Sequence, residues 1–164
     1  MRVKCKIDGK WCDLPDTISQ FFLKKAMIYV CSMDRLKKPI IQSVIFVNEP
    51  SKCTIAFMAK KSSQIGKNLQ NNPYLTLTLD ETHLKDPLQH EGIMIETTTR
   101  SSKSQSEIQQ CYDDLQKKYG IDITTKILGM EIITDYIKIQ ATPTKIIHWE
   151  GPFYRKFVCT SKKV

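Results

Sequence analysis

The 164-residue sequence is poor in glycine and lacks the glycine-rich patterns through which many proteins bind nucleotides. Its six glycines form neither a G-x-G-x-x-G sequence nor a Walker-type loop, which excludes a dinucleotide fingerprint and a P-loop. It also has no apolar run long enough to span a bilayer and no signal-peptide core near residue 1. We therefore expect a cytoplasmic protein without a membrane partner.

Cysteine pairs with metal-binding spacing are absent as well. None of the six cysteines forms a C-x-x-C pair, so the sequence has no local signature of a zinc site or a thioredoxin-type motif. In a reducing cytosol the thiols are expected to be free. We interpret Cys31, in an apolar strand, and Cys111, on a helix, as small core residues.

Side chains that could carry acid–base or nucleophilic catalysis show no recognisable arrangement. His83 and His90 have neither a carboxylate nor a cysteine at ligand spacing, so we predict no metal site. His148, beside Trp149 on a predicted strand, is interpreted as a structural residue. If the chain is an enzyme, its chemistry therefore belongs to a cofactor.

Positive charge is what the sequence has in excess. Its 25 basic and 17 acidic residues give a formal net charge of +8, which favours anionic partners. The lysines are spread along the chain without a run of five, so their distribution does not support a nucleic-acid stripe. Four aromatic residues could stack on bases, but a core or dimer-interface position explains them better, and nucleic-acid binding is not expected: Tyr74, Trp149, Phe153 and Tyr154.

The most informative stretch runs from Thr54 to Asp80 and predicts a strand, a basic turn, a short helix and a second strand. Ser62 or Ser63 can cap the helix, which must end before Pro73. Hydroxyls, backbone N–H groups and nearby lysines suit an anion such as a phosphate. A solvated basic turn between two strands remains the alternative. The lysines concerned are Lys60, Lys61 and Lys67.

Elsewhere the hydrophobic pattern predicts six or seven strands joined mainly by hairpins, with three helices at turns and crossings. This pattern favours a mainly β fold, an antiparallel barrel with helices outside, over a doubly wound sheet. We expect a single domain over residues 1–164, with its core at about 14–155 and peripheral segments at 1–12 and 158–164. The predicted segments are a helix ending near Ala26, strands at 27–33, 40–47, 54–58, 74–79, 92–100 and 135–141, a break at 142–144, extended structure at 145–151, and a helix ending at Gly120.

Gln42 and Ser43 interrupt the apolar strand Ile40–Val47. Buried polar groups must find hydrogen-bond partners. These partners are either a neighbouring backbone or the polar rim of a bound ring system, and the sequence leaves both open.

Taken in order, four stretches resemble the pyridoxamine 5′-phosphate oxidase-like family of FMN-binding split barrels and together cover roughly residues 14–155. The second is the most specific, because it is similar to the family's basic-serine turn followed by an N-L-x-x-N-P helix. The four stretches are Leu14–Met33 with the turn into Ile40–Val44, Lys61–Pro73 with Tyr74–Leu77, Gly92–Thr97, and Ile139–Gly151, the last resembling P-x-x-I-x-x-W-x-G.

The resemblance implies a homodimer of split barrels with two FMN sites at the subunit interface. The phosphate would bind the turn at Lys60, Lys61, Ser62 and Ser63 with Lys67 near, and the isoalloxazine edge would lie along Ile41, Gln42, Ser43 and Val44. Trp149 matches a family tryptophan that reaches flavin or substrate, and Arg155 matches a family arginine loosely. The implied function is that of an FMN-dependent oxidoreductase with an unassigned substrate.

One departure from the family pattern bears on the cofactor. Many FMN-binding members have a basic pair after the turn serine, where this chain has Gln64 and Ile65. The deazaflavin F420 is therefore an alternative cofactor, and a non-catalytic module that binds flavin, F420 or another anionic ligand is an alternative function. The C-terminal pattern R-L-H-D-R is also missing, which argues against true pyridoxamine phosphate oxidase activity.

Overall fold

The structure, a computed structural model, describes residues 4–7, 10–13, 27–49, 54–81, 86, 88, 90–129 and 133–159. The predicted N-terminal helix ending near Ala26 lies outside these residues, as does His83. None of the described helices combines the length and apolar character that a membrane span needs.

Within the described ranges, ten strands form a single sheet whose pairings are all antiparallel. Seven of them have six or more residues, in agreement with the predicted number, and the other three have three or four. The strands are β1 (Lys4–Ile7), β2 (Lys10–Asp13), β3 (Ile28–Met33), β4 (Pro39–Val44), β5 (Val47–Glu49), β6 (Thr54–Lys60), β7 (Tyr74–Glu81), β8 (Glu91–Ser102), β9 (Tyr136–Glu150) and β10 (Phe153–Cys159).

Among the residues that the structure describes, three α-helices connect the strands, and a 3-10 turn at Ile133–Asp135 precedes β9. The helix after the basic turn and the helix ending before Gly120 are both confirmed, and the segment from Ile121 is also helical. The helices are α1 (Gln64–Asn68), α2 (Gln105–Tyr119) and α3 (Ile121–Leu128).

The sheet splits along β9, which pairs with β8 along one edge from Lys138 to Glu150. On the other edge, its first half pairs with β6 and its second half with β10. The remaining strands continue in the order β8-β7-β3-β4, so β4 is an edge strand. Because β9 pairs first with β6 and then with β10 along this edge, the sheet bends into two lobes.

Two sequence-based boundaries differ in the structure. The predicted break at 142–144 is wrong, because β9 is continuous there and the irregularity is a bulge opposite Glu96 and Thr97. Lys145 pairs with Glu96 and Pro143 with Thr97, so the extra residue absorbs the proline without ending the strand. The predicted strand 40–47 is divided into β4 and β5, since residues 45 and 46 leave the sheet.

The buried residues that the structure describes form two clusters, one on each side of the sheet. The larger lies inside the barrel and includes Phe57, Leu77 and Ile95. The smaller packs Ala56 and Met58 of β6 against the apolar side of α2, which carries Ile108, Cys111 and Leu115. Successive residues of β6 point to opposite faces, and both faces are covered, which explains its continuous apolar sequence.

Candidate functional site

The basic turn lies where β6 ends and α1 begins. Ser63 is the N-cap: its Oγ accepts a hydrogen bond from the Gly66 backbone N–H at 3.2 Å and donates one to the Lys60 carbonyl at 2.7 Å. The predicted cap is therefore confirmed. The same contacts occupy the Ser63 hydroxyl within the turn, while the neighbouring Ser62 is exposed.

Glycine is required at position 66 because α1 folds directly back on β6. A Cβ atom at Gly66 would lie 2.5 Å from the Lys60 carbonyl oxygen and 3.0 Å from that of Lys61. Any side chain here would push the helix away from the strand end. The shape of the turn thus depends on the absence of a side chain at Gly66.

The three lysines of the turn are exposed, but they differ in their contacts. Lys60 Nζ lies 5.8 Å from the centre of the Tyr136 ring. Lys61 Nζ donates to the Thr134 carbonyl at 2.5 Å, and its backbone N–H donates to the Asp135 carbonyl at 2.8 Å. Lys67 lies in the last turn of α1. The lysines therefore form a positive surface that is anchored to the segment before β9.

A chain of amide and hydroxyl groups links the turn to the neighbouring strands. Gln64 Nε2 donates to Asn68 Oδ1 at 2.8 Å, and Asn68 Nδ2 donates to Ser32 Oγ of β3 at 2.9 Å. Asn68 and Ser32 are buried, and Ser32 pairs with Ile40 of β4. The two parts of the predicted site, the basic turn and β4, are therefore brought to the same corner of the sheet.

Residues 41–44 occupy the edge strand β4, whose outer backbone groups have no strand partner in the described sheet. Gln42 and Val44 pair with the buried Val30 and Ile28, whereas Ile41, 67% exposed, lies on the opposite face with Ser43. Gln42 and Ser43 are both exposed, so neither is the buried polar residue considered from the sequence. What the four residues share is the open backbone edge of the strand.

Trp149 lies near the end of β9 and packs on Gly92 of β8, its cross-strand partner. A Cβ atom at Gly92 would be 2.1 Å from Trp149 Cζ2, so glycine leaves the space that the indole fills. Arg155 is exposed and pairs with His148, while Trp149 pairs with Tyr154. Since neighbouring strand residues point to opposite faces, Trp149 and Arg155 do not share a face.

Two histidine–carboxylate contacts were missed by the sequence analysis. His90 Nε2 contacts Asp80 Oδ1, and its ring meets Trp149 edge-on with centroids 6.0 Å apart. His148, 8% exposed, has Nε2 at 2.8 Å from Glu91 Oε1. No carboxylate lies at ligand spacing from His90 in the sequence, but the fold brings Asp80 to it. The register of the β7–β8 hairpin, which aligns Asp80 with Gly92, was the signal that could have found this contact.

The basic turn and Trp149 lie at opposite ends of the strands. β7 begins at Tyr74, shortly after α1. Farther along β7, Asp80 pairs with Gly92, which in turn pairs with Trp149. Six residues of extended chain span about 20 Å. One subunit therefore does not bring its turn and its tryptophan to the same small ligand.

The chemistry of this arrangement is that of binding. The described side chains include no group of three or more histidine, cysteine or acidic residues that could hold a metal ion. Cations and hydroxyls at the turn suit a phosphate, and an open strand edge suits the polar rim of a planar ring. Fold and geometry together define a class of protein: a split antiparallel barrel with a basic turn and an open strand edge at one corner of its sheet.

The family follows from the sequence. Residues 14–150 match the family model described as pyridoxamine 5′-phosphate oxidase, and the chain belongs to this family. The predicted family and its split-barrel fold are both confirmed. No functionally curated protein has significant sequence similarity to the chain.

Three solved structures illustrate how widely the fold is used. A Clostridium acetobutylicum protein of the pyridoxinephosphate oxidase family, related to general stress protein 26, has 13% identity and a TM-score of 0.69, with 87% of this chain and 92% of that chain covered. The heme storage protein HutZ of Vibrio cholerae has 15% identity and a TM-score of 0.65, with 89% and 94% covered. An F420 reductase has 12% identity and a TM-score of 0.61, with 81% and 98% covered. At these identities the similarity shows the fold alone.

Proposed function

We propose that the chain is an FMN-binding oxidoreductase of the pyridoxamine 5′-phosphate oxidase family, acting on a small-molecule substrate. The observation that carries the proposal is the Asn68–Ser32 contact, which joins the helix after the basic turn to β3, the strand that pairs with β4. The turn would hold the phosphate through Lys60, Lys61, Ser62 and Lys67. FMN supplies reversible hydride and electron transfer when it is bound.

The residues of the chain would then position and shield the ring rather than react. The backbone edge at Ile41–Val44 would donate to and accept from its polar rim, which fixes its orientation. Ser63 would act indirectly, because its hydroxyl holds the turn in shape. Gln64 would likewise hold α1 against β3 through Asn68.

A homodimer is part of this proposal because the site is incomplete in one subunit. The turn and Trp149 are separated along the strands, so the tryptophan over a given cofactor would come from the partner. One sheet face offers exposed apolar residues for the contact, including Tyr29 at 52% and Ile41 at 67% exposure. Tyr154, in the row of Trp149, is 77% exposed on the same face.

F420 is the alternative cofactor within the same proposal. Gln64 and Ile65 replace two cations, and the Ser63 hydroxyl is already used, so the turn offers a phosphate fewer contacts than a fully basic one. A turn with fewer phosphate contacts also favours the alternative of a non-catalytic module that carries a flavin, F420 or another anionic ligand. The fold of an F420 reductase is compatible with either.

Haem is a second candidate ligand, and a separate observation favours it. His90 contacts Asp80 and lies edge-on to Trp149 on the exposed sheet face. A carboxylate that orients an imidazole raises its strength as an iron ligand. One solved neighbour is described as a heme storage protein.

Absorption spectra test these proposals directly. The purified protein is mixed with FMN, F420 or haem, free ligand is removed, and the retained spectrum identifies the ligand. We expect a retained flavin spectrum, and Lys61→Ala and Lys67→Ala should each weaken FMN binding about tenfold, since each removes a charge-assisted contact.

Lys126→Ala is the matched control, because Lys126 is an exposed lysine on α3, away from the turn. If it weakens binding as much as Lys61→Ala does, the effect is one of overall charge and the proposed turn is wrong.

Retention of F420 alone selects the alternative cofactor. A haem spectrum that disappears in His90→Ala selects the second candidate. A bound flavin that no nicotinamide or chemical reductant bleaches selects the non-catalytic module.

A further inference from the structure

The turn between β3 and β4 presents three basic side chains and one apolar side chain to solvent. Its four residues, which we call the Leu36 tip, are Arg35, Leu36, Lys37 and Lys38, and all of them are exposed, Leu36 by 74%. A single exposed leucine is ordinary on a protein surface. A leucine placed between cations at the end of a turn is the combination that interfacial segments use to contact lipid.

Hydrogen bonds within the turn hold the Leu36 tip in one shape. Asp34 Oδ1 accepts hydrogen bonds from the backbone N–H groups of Leu36 and Lys38, both at 2.8 Å. The Lys37 N–H donates to the Asp34 carbonyl at 3.0 Å. The carboxylate is thus engaged by the backbone of the turn. Among the described residues, none forms an ion pair with Arg35, Lys37 or Lys38.

Lys37 has a backbone conformation that glycine adopts more easily. Its φ is 61°, in the left-handed region, and within the described ranges it is the one non-glycine residue with a positive φ. A glycine would form the same turn with less strain. What the lysine adds at this position is therefore its charged side chain.

An exposed aromatic residue lies at the base of the turn. Tyr74, 62% exposed, is two residues before Thr76, which pairs with Cys31. Met33 is two residues after Cys31, so the antiparallel register places Tyr74 level with Met33, directly before the turn. Tyrosine has an apolar ring and a polar hydroxyl, and this combination suits the headgroup layer of a membrane.

The basic turn adds positive charge at the same corner of the sheet. Asn68, the residue after Lys67, donates to Ser32 Oγ at 2.9 Å, and Ser32 is two residues before Asp34. The formal net charge of the chain is +8. An extended anionic surface can contact such a corner without a matching pocket.

We propose that the Leu36 tip docks the protein on the surface of an anionic lipid bilayer. The three cations contact the lipid phosphates, Leu36 enters the apolar layer beneath the headgroups, and Tyr74 lies at headgroup level. A bilayer is favoured over a nucleic acid because it gives the leucine an apolar environment, which a phosphodiester chain does not.

This proposal takes the place of the sequence-based expectation of no membrane partner. That expectation rested on the absence of a spanning run and of a signal-peptide core, and docking on a surface needs neither. The proposal is independent of the cofactor, because the Leu36 tip lies outside residues 41–44 and 60–67.

Vesicle flotation with the full chain tests the proposal. The protein is floated with vesicles of phosphatidylcholine alone or mixed with phosphatidylglycerol, at low and high salt. We expect binding to the mixed vesicles that weakens as the salt concentration rises, and little binding to the neutral ones. Equal binding to both kinds of vesicle, or no binding to the mixed ones, would overturn the proposal.

Leu36→Ser tests the apolar contact without changing the charge. We expect it to weaken binding to the mixed vesicles about tenfold, because the leucine no longer leaves water. Leu88→Ser is the matched control, since Leu88 is 70% exposed and lies outside the tip. Equal effects of the two substitutions would show that Leu36 does not enter the bilayer.

Lys37→Gly separates docking from stability. It removes one cation and the strained backbone conformation, so vesicle binding should weaken about fivefold while the Tm stays the same or rises. Lys126→Ala, which removes an exposed lysine of α3, should leave vesicle binding almost unchanged. Vesicle binding by Lys37→Gly at wild-type strength, or an equal loss in Lys126→Ala, would contradict the assignment to the tip.

A single-stranded oligonucleotide tests the other anionic partner under the same conditions. The wild type should bind the mixed vesicles more tightly than the oligonucleotide. Tighter binding of the oligonucleotide, lost in Lys37→Gly, would show that the tip binds nucleic acid and would overturn the proposal.

Discussion

Glu49 is the residue at which the polar contacts of the smaller core converge. Its carboxylate accepts hydrogen bonds from Lys138 Nζ at 2.5 Å, Gln140 Nε2 at 2.7 Å and Thr54 Oγ1 at 2.7 Å. Lys138 is only 2% exposed. Burial by itself raises the pKa of Glu49, but the three hydrogen bonds and the lysine charge outweigh it and lower the pKa to about 2.

We expect Glu49→Gln to destabilise the protein by about 3 kcal/mol at pH 7, because it leaves the buried Lys138 ammonium without a counter-charge. Chemical denaturation measures this change. The wild-type contribution is complete above pH 4.5 and is lost as the pH falls towards 2, since the folded pKa lies below the ordinary value.

Glu107→Gln is the matched control for this prediction. Glu107 pairs with Arg100, whose side chain is 67% exposed, so the same substitution there should change stability by less than about 1 kcal/mol. Equal losses in the two variants would show that the buried position of the Glu49 pair is not what matters.

At the scale of elements, the end of α2 is held to the bend between β4 and β5 through Phe46. Tyr119 OH donates to the Phe46 carbonyl at 2.8 Å and accepts from its backbone N–H at 3.3 Å. Lys118 Nζ donates to the same carbonyl at 3.1 Å and lies 3.7 Å from the centre of the Phe46 ring. Burial lowers the pKa of Lys118 to about 8 and raises that of Tyr119 to about 12.

The pH dependence of stability should reveal this contact. Between pH 8 and 10 the unfolded chain keeps the Lys118 proton that the folded chain has lost, so Lys118 adds stability as the pH rises. Above pH 10 the raised pKa of Tyr119 acts in the opposite direction. The difference in urea midpoint between the wild type and Lys118→Met should therefore shift in favour of the wild type from pH 7.5 to pH 9.5. The methionine side chain keeps the apolar contact but does not titrate. A constant difference between the two proteins would contradict the prediction.

The individual elements also show which features a local sequence pattern can predict. The strands from Thr54 and Tyr74 and the helix between them were predicted because each has its own period and the cap and proline mark the boundaries. The break expected at Pro143 failed because β9 lies between two partners, and a bulge costs less than ending both ladders.

At the scale of the whole molecule, the separation of the basic turn from Trp149 predicts a site shared between two subunits. Lys61→Ala and Trp149→Leu should each weaken FMN binding in the proposed homodimer. Mixing the two variants under subunit exchange should restore about one quarter of the wild-type sites, because half of the dimers are mixed and each has one intact site.

Binding titrations combined with size-exclusion chromatography measure the outcome. Lys61→Ala mixed with Lys67→Ala is the control, since both changes affect the same turn and no mixed dimer regains an intact one. Full loss in both mixtures, with dimers present, would show that each site takes its turn and its tryptophan from one subunit. A monomer that binds FMN at wild-type strength would overturn the shared site.

By itself the sequence determined the features that depend on neighbouring residues: the periods of the long strands, the Ser63 cap and the basic turn, together with the family. Tertiary structure alone decided which distant residues meet. The contacts of Asp80 with His90 and of Glu49 with Lys138 depend on strand register. Register results from the simultaneous burial of many side chains and from a bulge at one position, and no local window of the chain contains that information.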